Sequence, residues 1–146
     1  MNKVLVTGGA GFIGSHLVDE LLSKGFDLIV VDNLLRGNKL SADTMKNINF
    51  VKADVRNKEL IMTLAKQCTV IYHLAALLGV DIVADNSVET MEVEVIGTRN
   101  IVQAAIANNV EKIIYTSTSG VYGKTSLERS VTENVFLDPR TSYSIA

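Results

Sequence analysis

Three glycines at three-residue spacing, Gly8, Gly11 and Gly14, and an acid further on, Asp32, are the residues whose types and order point first to chemistry. The glycines stand in Thr7-Gly8-Gly9-Ala10-Gly11-Phe12-Ile13-Gly14. Gly8 suits a tight turn, Gly11 has no Cβ to block a pyrophosphate, and Gly14 lets a following helix pack closely on the preceding strand. Free N–H groups and the positive end of that helix would then face the anion. A carboxylate ending the next strand accepts hydrogen bonds from both ribose hydroxyls and repels a 2′-phosphate. Arg36 pulls the other way, because a guanidinium pairs with a 2′-phosphate. Glycines also cluster in ordinary turns, and Asp32 also reads as a loop-capping acid. The strand and helix around them favour the phosphate reading.

Positioning these groups requires a strand before the glycines and a helix after them. Lys3-Val4-Leu5-Val6 is an apolar run of the kind buried in a parallel sheet, and residues 12–22 carry apolar side chains at helical spacing. Asp27-Leu28-Ile29-Val30-Val31 forms a second strand that delivers Asp32 beside the glycine turn. Residues 33–47 read as a polar loop with little regular structure. A third strand over 49–53 ends at Asp54-Val55, a helix over 57–66 is capped by Asn57, and a fourth strand over 69–76 runs into small residues. One long helix is predicted over 87–108, stopped by Asn108-Asn109. Val88, Met91, Val95, Thr98, Val102 and Ala105 fall on one stripe, widened by Ile96, Ile101, Ala104 and Ile106. That breadth fits either a wide core-facing surface or an outer face that packs on another subunit. A fifth strand over 111–116 leads into a loop over 117–123.

Alternating strands and helices predict an α/β fold, a parallel sheet covered on both faces. Right-handed crossovers give strand order 3-2-1-4-5, with the switch point between strands 1 and 4. Gly8, Asp32, Ala75 and Thr118 then fall at strand ends lining one crevice, and the Asp32 carboxylate favours NAD over NADP there.

Composition narrows the field. The 146 residues suffice for one domain with a sizeable core, and the formal net charge is −2. Scattered basic residues without aromatic platforms give no nucleic-acid surface. No apolar run approaches bilayer length, so no membrane segment is expected. The single Cys68 forms no internal disulfide, which suits a reducing cytoplasm, and the histidines and cysteine lack zinc spacing.

The sequence resembles the extended short-chain dehydrogenase/reductases, in their nucleotide-sugar epimerase/dehydratase branch. The resemblance rests on residues 7–14, Asp32-Asn33-Leu34, Asp54-Val55, His73-Leu74-Ala75-Ala76, Gly97-Thr98-Arg99-Asn100, residues 117–123 and Tyr143-Ser144-Ile145-Ala146. It implies a Rossmann doubly wound sheet over residues 1–146 that binds NAD. Phe12 and Ile13 would lie against the pyrophosphate, Asp54 and Val55 would hold the adenine, and Leu74, Ala75 and Ala76 would line the strand-4 side. Asn33 and Thr116 complete the implied cofactor set. His16 and His73 read as structural histidines within apolar elements.

The resemblance also implies the catalytic pair Thr118 and Tyr143. A tyrosinate takes a proton from a sugar hydroxyl while hydride passes to NAD, and the threonine orients or relays the proton. Phenol ionises near pH 10 in water, and the family lowers that value with a lysine one turn later and the nicotinamide charge. Two features depart from the family pattern. The sequence reaches Ala146 where that lysine would follow, and Glu94 stands where many relatives have asparagine. The chain therefore reads as an amino-terminal fragment, truncated before the last strands and the substrate lobe. Such a fragment is expected to be catalytically silent, with Tyr143 mobile or misplaced and its acidity that of a free phenol. Ser119-Gly120 lacks the Asp-Glu pair of the 4,6-dehydratases and the glutamate that decarboxylases place at Gly120. This favours epimerisation of a UDP-linked sugar by a homodimer whose 87–108 helix joins a dimer interface. Decarboxylase, dehydratase and reductase remain alternatives, as does a non-catalytic NAD-binding regulatory module.

Overall fold

The computed structural model describes residues 3–77, 86–125 and 130–146. Five parallel strands, β1 (Lys3–Thr7), β2 (Asp27–Asp32), β3 (Asn49–Lys52), β4 (Val70–His73) and β5 (Lys112–Tyr115), stand in the order β3-β2-β1-β4-β5. This is the Rossmann-type sheet that the alternation of elements predicts. Thr7 pairs with Val31 on one side and His73 on the other, and His73 pairs with Tyr115. The carboxyl ends of β1, β2, β4 and β5 are thus brought level.

Both faces of the sheet are buried, which explains the near-continuous apolar runs of its central strands. On one face Leu5, Ile29, Val31 and Ile71 pack with Ile61 and Ala65 of α3 (Lys58–Ala65) and with Ile101, Ala104 and Ala105. On the other, Val4, Val6, Leu28 and Val30 meet Val18 and Leu21 of α1 (Phe12–Ser23), with Leu40 alongside. Asn57 caps α3 as expected, accepting from Leu60 N at 3.2 Å.

Three expectations need correction. The polar stretch over 33–47 contains a short helix, α2 (Ala42–Lys46), whose start is fixed by the Ser41 hydroxyl accepting from Thr44 N. Its five residues are too few to show an apolar period, and only the cap marks it. His16 is exposed on α1, where its ring stands perpendicular to that of Phe12.

The third correction concerns the long helix. It begins as α4 (Ser87–Met91), continues through a π-helical turn (Glu92–Gly97), and resumes as α5 (Thr98–Ala107). Its buried face is Thr90, Val93, Glu94, Gly97, Asn100, Ile101, Ala104 and Ala105. Of the predicted stripe, Val88, Val95 and Val102 are exposed, as are Ile96 and Ile106. Polar residues face inward because each has a built partner. Asn100 donates to the carbonyls of Val55 and Arg56 at 3.1 and 3.0 Å, and Gly97 sits so close to Val55 that a Cβ would lie 2.6 Å from its Cγ2. Apolar patterning does not detect an interface made of small and hydrogen-bonded residues.

Candidate cofactor and catalytic site

The glycine turn is shaped by contacts that exclude side chains. Gly8 has φ +70°, and a Cβ there would lie 2.6 Å from Ala75 N. A Cβ on Gly14 would collide with the Gly8 carbonyl oxygen, so this glycine serves the packing of α1 against its own preceding turn more than against β1. A Cβ on Gly11 would touch only Gly8 O, at 3.3 Å, leaving its outer side open to a ligand.

Asp32 holds this turn and the following loop together. One carboxylate oxygen accepts from Ala10 N at 3.0 Å and the other from Leu34 N at 2.8 Å. The second bond stabilises Leu34 at φ 63°, a left-handed conformation costly for a leucine. Lys39 N donates to Ala10 O at 3.0 Å, adding a further tie between the same segments.

A cleft opens over these groups. Gly8, Gly11, Asp32, Asn33, Asp54, Val55, Leu74, Ala75 and Ala76 line it, together with Arg36, Glu89 and Val93. The sequence placed the first nine in the cofactor set; Glu89 and Val93 enter through the long helix, with no local motif to announce them. Phe12 and Ile13 occupy the first turn of α1 and are largely exposed. Val55 is buried against Leu77 and Val93, making it a core residue as much as a cleft residue.

Asp54 is gripped by Arg56, whose Nε and Nη2 donate to its two oxygens at 3.0 and 2.8 Å. This guanidinium, chiefly through its hydrogen bonds, holds the carboxyl below the usual carboxylate range. Arg56 also reaches Glu89 at 3.4 Å and Glu92 at 3.2 Å, fastening the β3 end to the long helix.

A second cleft lies at the ends of β4 and β5. His73, Ala75, Ala76, Glu94, Thr116, Thr118 and Tyr143 line it. Thr118 precedes a 3₁₀ turn (Ser119–Tyr122), and its hydroxyl accepts from Gly120 N at 3.1 Å. Tyr143 lies on α6 (Ser142–Ile145), which starts with a capping box between Thr141 and Ser144 and packs on α4. The tyrosine is half-buried beside Thr118, against the expectation of a misplaced side chain. Burial, and then the nearby Glu94 and Tyr115, push its phenol above the ordinary value, while a hydrogen bond with Thr118 acts the other way. The free-phenol expectation is corrected accordingly: no group on this cleft outweighs the desolvation.

His73 is a structural histidine. Its Nδ1 lies 2.7 Å from Thr7 Oγ1 and its Nε2 3.0 Å from Thr98 Oγ1, and burial pushes it down to about 4.

The chain matches the model of the NAD dependent epimerase/dehydratase family over residues 4–146. The chain belongs to that family. Among curated relatives it is 43% identical over 123 residues to the UDP-N-acetyl-alpha-D-glucosaminuronate decarboxylase of Bacillus cytotoxicus, a match covering 84% of this chain and 38% of that protein. It is 38% identical over 147 residues to the UDP-glucose 4-epimerase of Mycolicibacterium smegmatis, covering 97% and 47%. The solved UDP-glucose 4-epimerase of Thermus thermophilus, in complex with NAD, superposes with a TM-score of 0.86 at 34% identity, over 98% of this chain and 46% of that one. The chain thus spans less than half the length of each.

Within this member of the epimerase/dehydratase family, the two clefts meet at Ala75 and Ala76, which line both. A ligand running from the glycine turn past these alanines arrives at Thr118 and Tyr143. The long helix contributes Glu89 and Val93 to the first cleft and Glu94 to the second.

Proposed function

We propose that this chain is the NAD-binding half of a nucleotide-sugar epimerase acting on a UDP-linked sugar. The observation that carries this reading is the junction of the two clefts at Ala75 and Ala76, with the glycine turn and Asp32 on one side and Thr118 and Tyr143 on the other. The residues present fit a dinucleotide. The open side of Gly11 admits a pyrophosphate, and Phe12 and Ile13 lie at the same helix N-terminus. Asp32 and Asn33 suit the adenosine ribose, Asp54 and Val55 the adenine, and Leu74, Ala75, Ala76 and Thr116 the run toward the nicotinamide. Bound NAD supplies a hydride acceptor.

Tyr143 serves as the base for the sugar hydroxyl, and Thr118 holds that hydroxyl or passes its proton. Since desolvation disfavours the tyrosinate, the chain's own residues do not make Tyr143 a base at neutral pH. Positive charge beside the phenol would favour the tyrosinate, and the oxidised cofactor supplies one such charge. Without it, the chain is expected to be inactive on a UDP-sugar. Decarboxylation is the second reading, favoured by the 43% identity to a decarboxylase. Against it, Gly120 presents no carboxylate beside Thr118.

The exposed apolar face of the long helix supports a homodimer, and the buried Cys68, its thiol pushed up to about 11 by burial, suits a reducing cytoplasm. Among the described residues no helix is long and apolar enough to cross a membrane.

Calorimetry tests the binding half of the proposal. NAD and ADP-ribose should bind the chain with similar weak affinity, and NADP more weakly still. Asp32→Ala should lower NAD affinity and narrow the gap, because the carboxylate both repels the extra phosphate and ties down the Ala10 and Leu34 amides. Equal binding of NAD and NADP by the unmutated chain would remove the cofactor assignment. Product analysis of the full-length enzyme with UDP-sugars separates the reactions: an inverted hydroxyl means epimerase, and released carbon dioxide means decarboxylase.

A further inference from the structure

Glu94 is 5% exposed, on the π-helical turn of the long helix, and it lines the cleft that holds Thr118 and Tyr143. Its Oε1 accepts from Leu77 N at 2.7 Å, joining the helix to the segment that follows β4. The helix bearing Tyr143 packs on α4, immediately before this turn. π-Turns within helices often place a side chain where a regular helix would not. Here it is the one side-chain carboxylate among the described residues lining the catalytic cleft.

We propose that Glu94 is a positioning residue of the site: through the Leu77 amide it fixes the wall between the two clefts, and through its own charge it governs how readily Tyr143 releases its proton. The first task needs only an acceptor oxygen, which a neutral amide would also supply. The second is peculiar to a carboxyl group. An ionised Glu94 opposes a second negative charge on the phenol, and a protonated one does not. The two titrations are therefore coupled: over an intermediate range of pH the single negative charge of the pair rests on Glu94, and the phenol ionises against it. Burial favours the neutral form of Glu94, partly offset by the Leu77 amide.

Just before α6, Arg140 is engaged by Asp138 through its Nε at 2.7 Å. Tyr115 and His73 line the same cleft, and His73 stays neutral above about 4. On the outer side of the helix Glu89 and Glu92 are engaged by Arg56, which also holds Asp54. None of these places a cation beside Tyr143.

The inference rests on Tyr143 being the base, and its test needs no substrate. Ultraviolet difference titration of the chain against Tyr143→Phe isolates the ionisation of this phenol. Glu94→Gln, which keeps an oxygen for Leu77 N, should move that midpoint down by about one pH unit, the size expected for a neighbouring charge. Glu94→Ala should move it as well and also loosen the wall, seen as weaker ADP-ribose binding; Glu94→Gln should bind ADP-ribose as before. An unchanged midpoint in Glu94→Gln overturns the proposal. In case that variant does not fold, NMR of labelled tyrosine in the unmutated chain gives the same answer. The Tyr143 ring signal should shift as Glu94 titrates above the ordinary glutamate range, and a flat signal up to the phenol's own ionisation overturns the coupling. Absence of epimerase activity in the full-length enzyme, with the coupling intact, would instead count against the proposed reaction alone.

Discussion

His73 shows how one side chain links a strand end to a helix. Both ring nitrogens are occupied, by Thr7 and by Thr98, and in a neutral imidazole one donates while the other accepts. Its folded value, about 4, lies below the ordinary 6.5, so the unfolded chain binds the proton first as pH falls. Stability from this group is complete above 6.5 and is lost as pH drops toward 4, by about 3 kcal/mol at ~1.4 kcal/mol per unit. Glu94, raised by burial, acts in the opposite sense: its share is present at low pH and lost as pH rises above the ordinary glutamate range. Urea unfolding of the native chain and His73→Gln across pH 4–7 separates the two. The difference between them should shrink toward pH 4, and a constant difference would mean that His73 does not titrate on unfolding.

At the scale of elements, the long helix is attached by hydrogen bonds as much as by apolar contact. Asn100 is buried and donates to two carbonyls at the end of β3, Val55 and Arg56. Asn100→Leu keeps the volume but leaves both acceptors without a donor. It should cost about 1–3 kcal/mol in chemical denaturation, and more than Val102→Ala on the exposed side. The same feature explains what was legible in the sequence. Strand runs, the glycine turn and the Asp32 position follow from strong local patterns, and right-handed crossover turns these into a unique strand order. The inward face of the long helix was legible only in part: Ile101, Ala104 and Ala105 belong to its apolar pattern, whereas Thr90, Glu94 and Asn100 show as inward-facing only once their hydrogen-bond partners are known. Likewise α2 lacks a period, and the grip of Arg56 on Glu89 and Glu92 spans 33 and 36 residues.

For the molecule as a whole, five of the twelve exposed large apolar side chains among the described residues lie on that helix. Val88 and Ile106 are each 73% exposed, and Val95, Ile96 and Val102 lie between them. We propose that these residues, with the exposed Arg99 and Gln103 among them, form an association surface that a second copy of the chain would bury symmetrically. Sedimentation should show concentration-dependent self-association, and Val102→Glu with Ile106→Glu should shift the chain to monomer without changing its fold by circular dichroism. A native chain that stays monomeric at high concentration would rule the surface out. The strand order has a separate consequence, in the time domain. β1 is made first but sits in the middle of the sheet, and its second neighbour is β4, which begins at Val70. Gly8 lies against the backbone of Ala75, and Thr7 is bonded to a histidine 66 residues downstream. The glycine turn is therefore encoded at the start of the chain yet has no floor until Ala75 has been made. Such long-range closure is slow compared with helix formation. A nascent chain can pair β1 with β2 and form α1 early, but the glycine turn gains its backing only when β4 docks, so the proposed cofactor binding should come as a late event of folding.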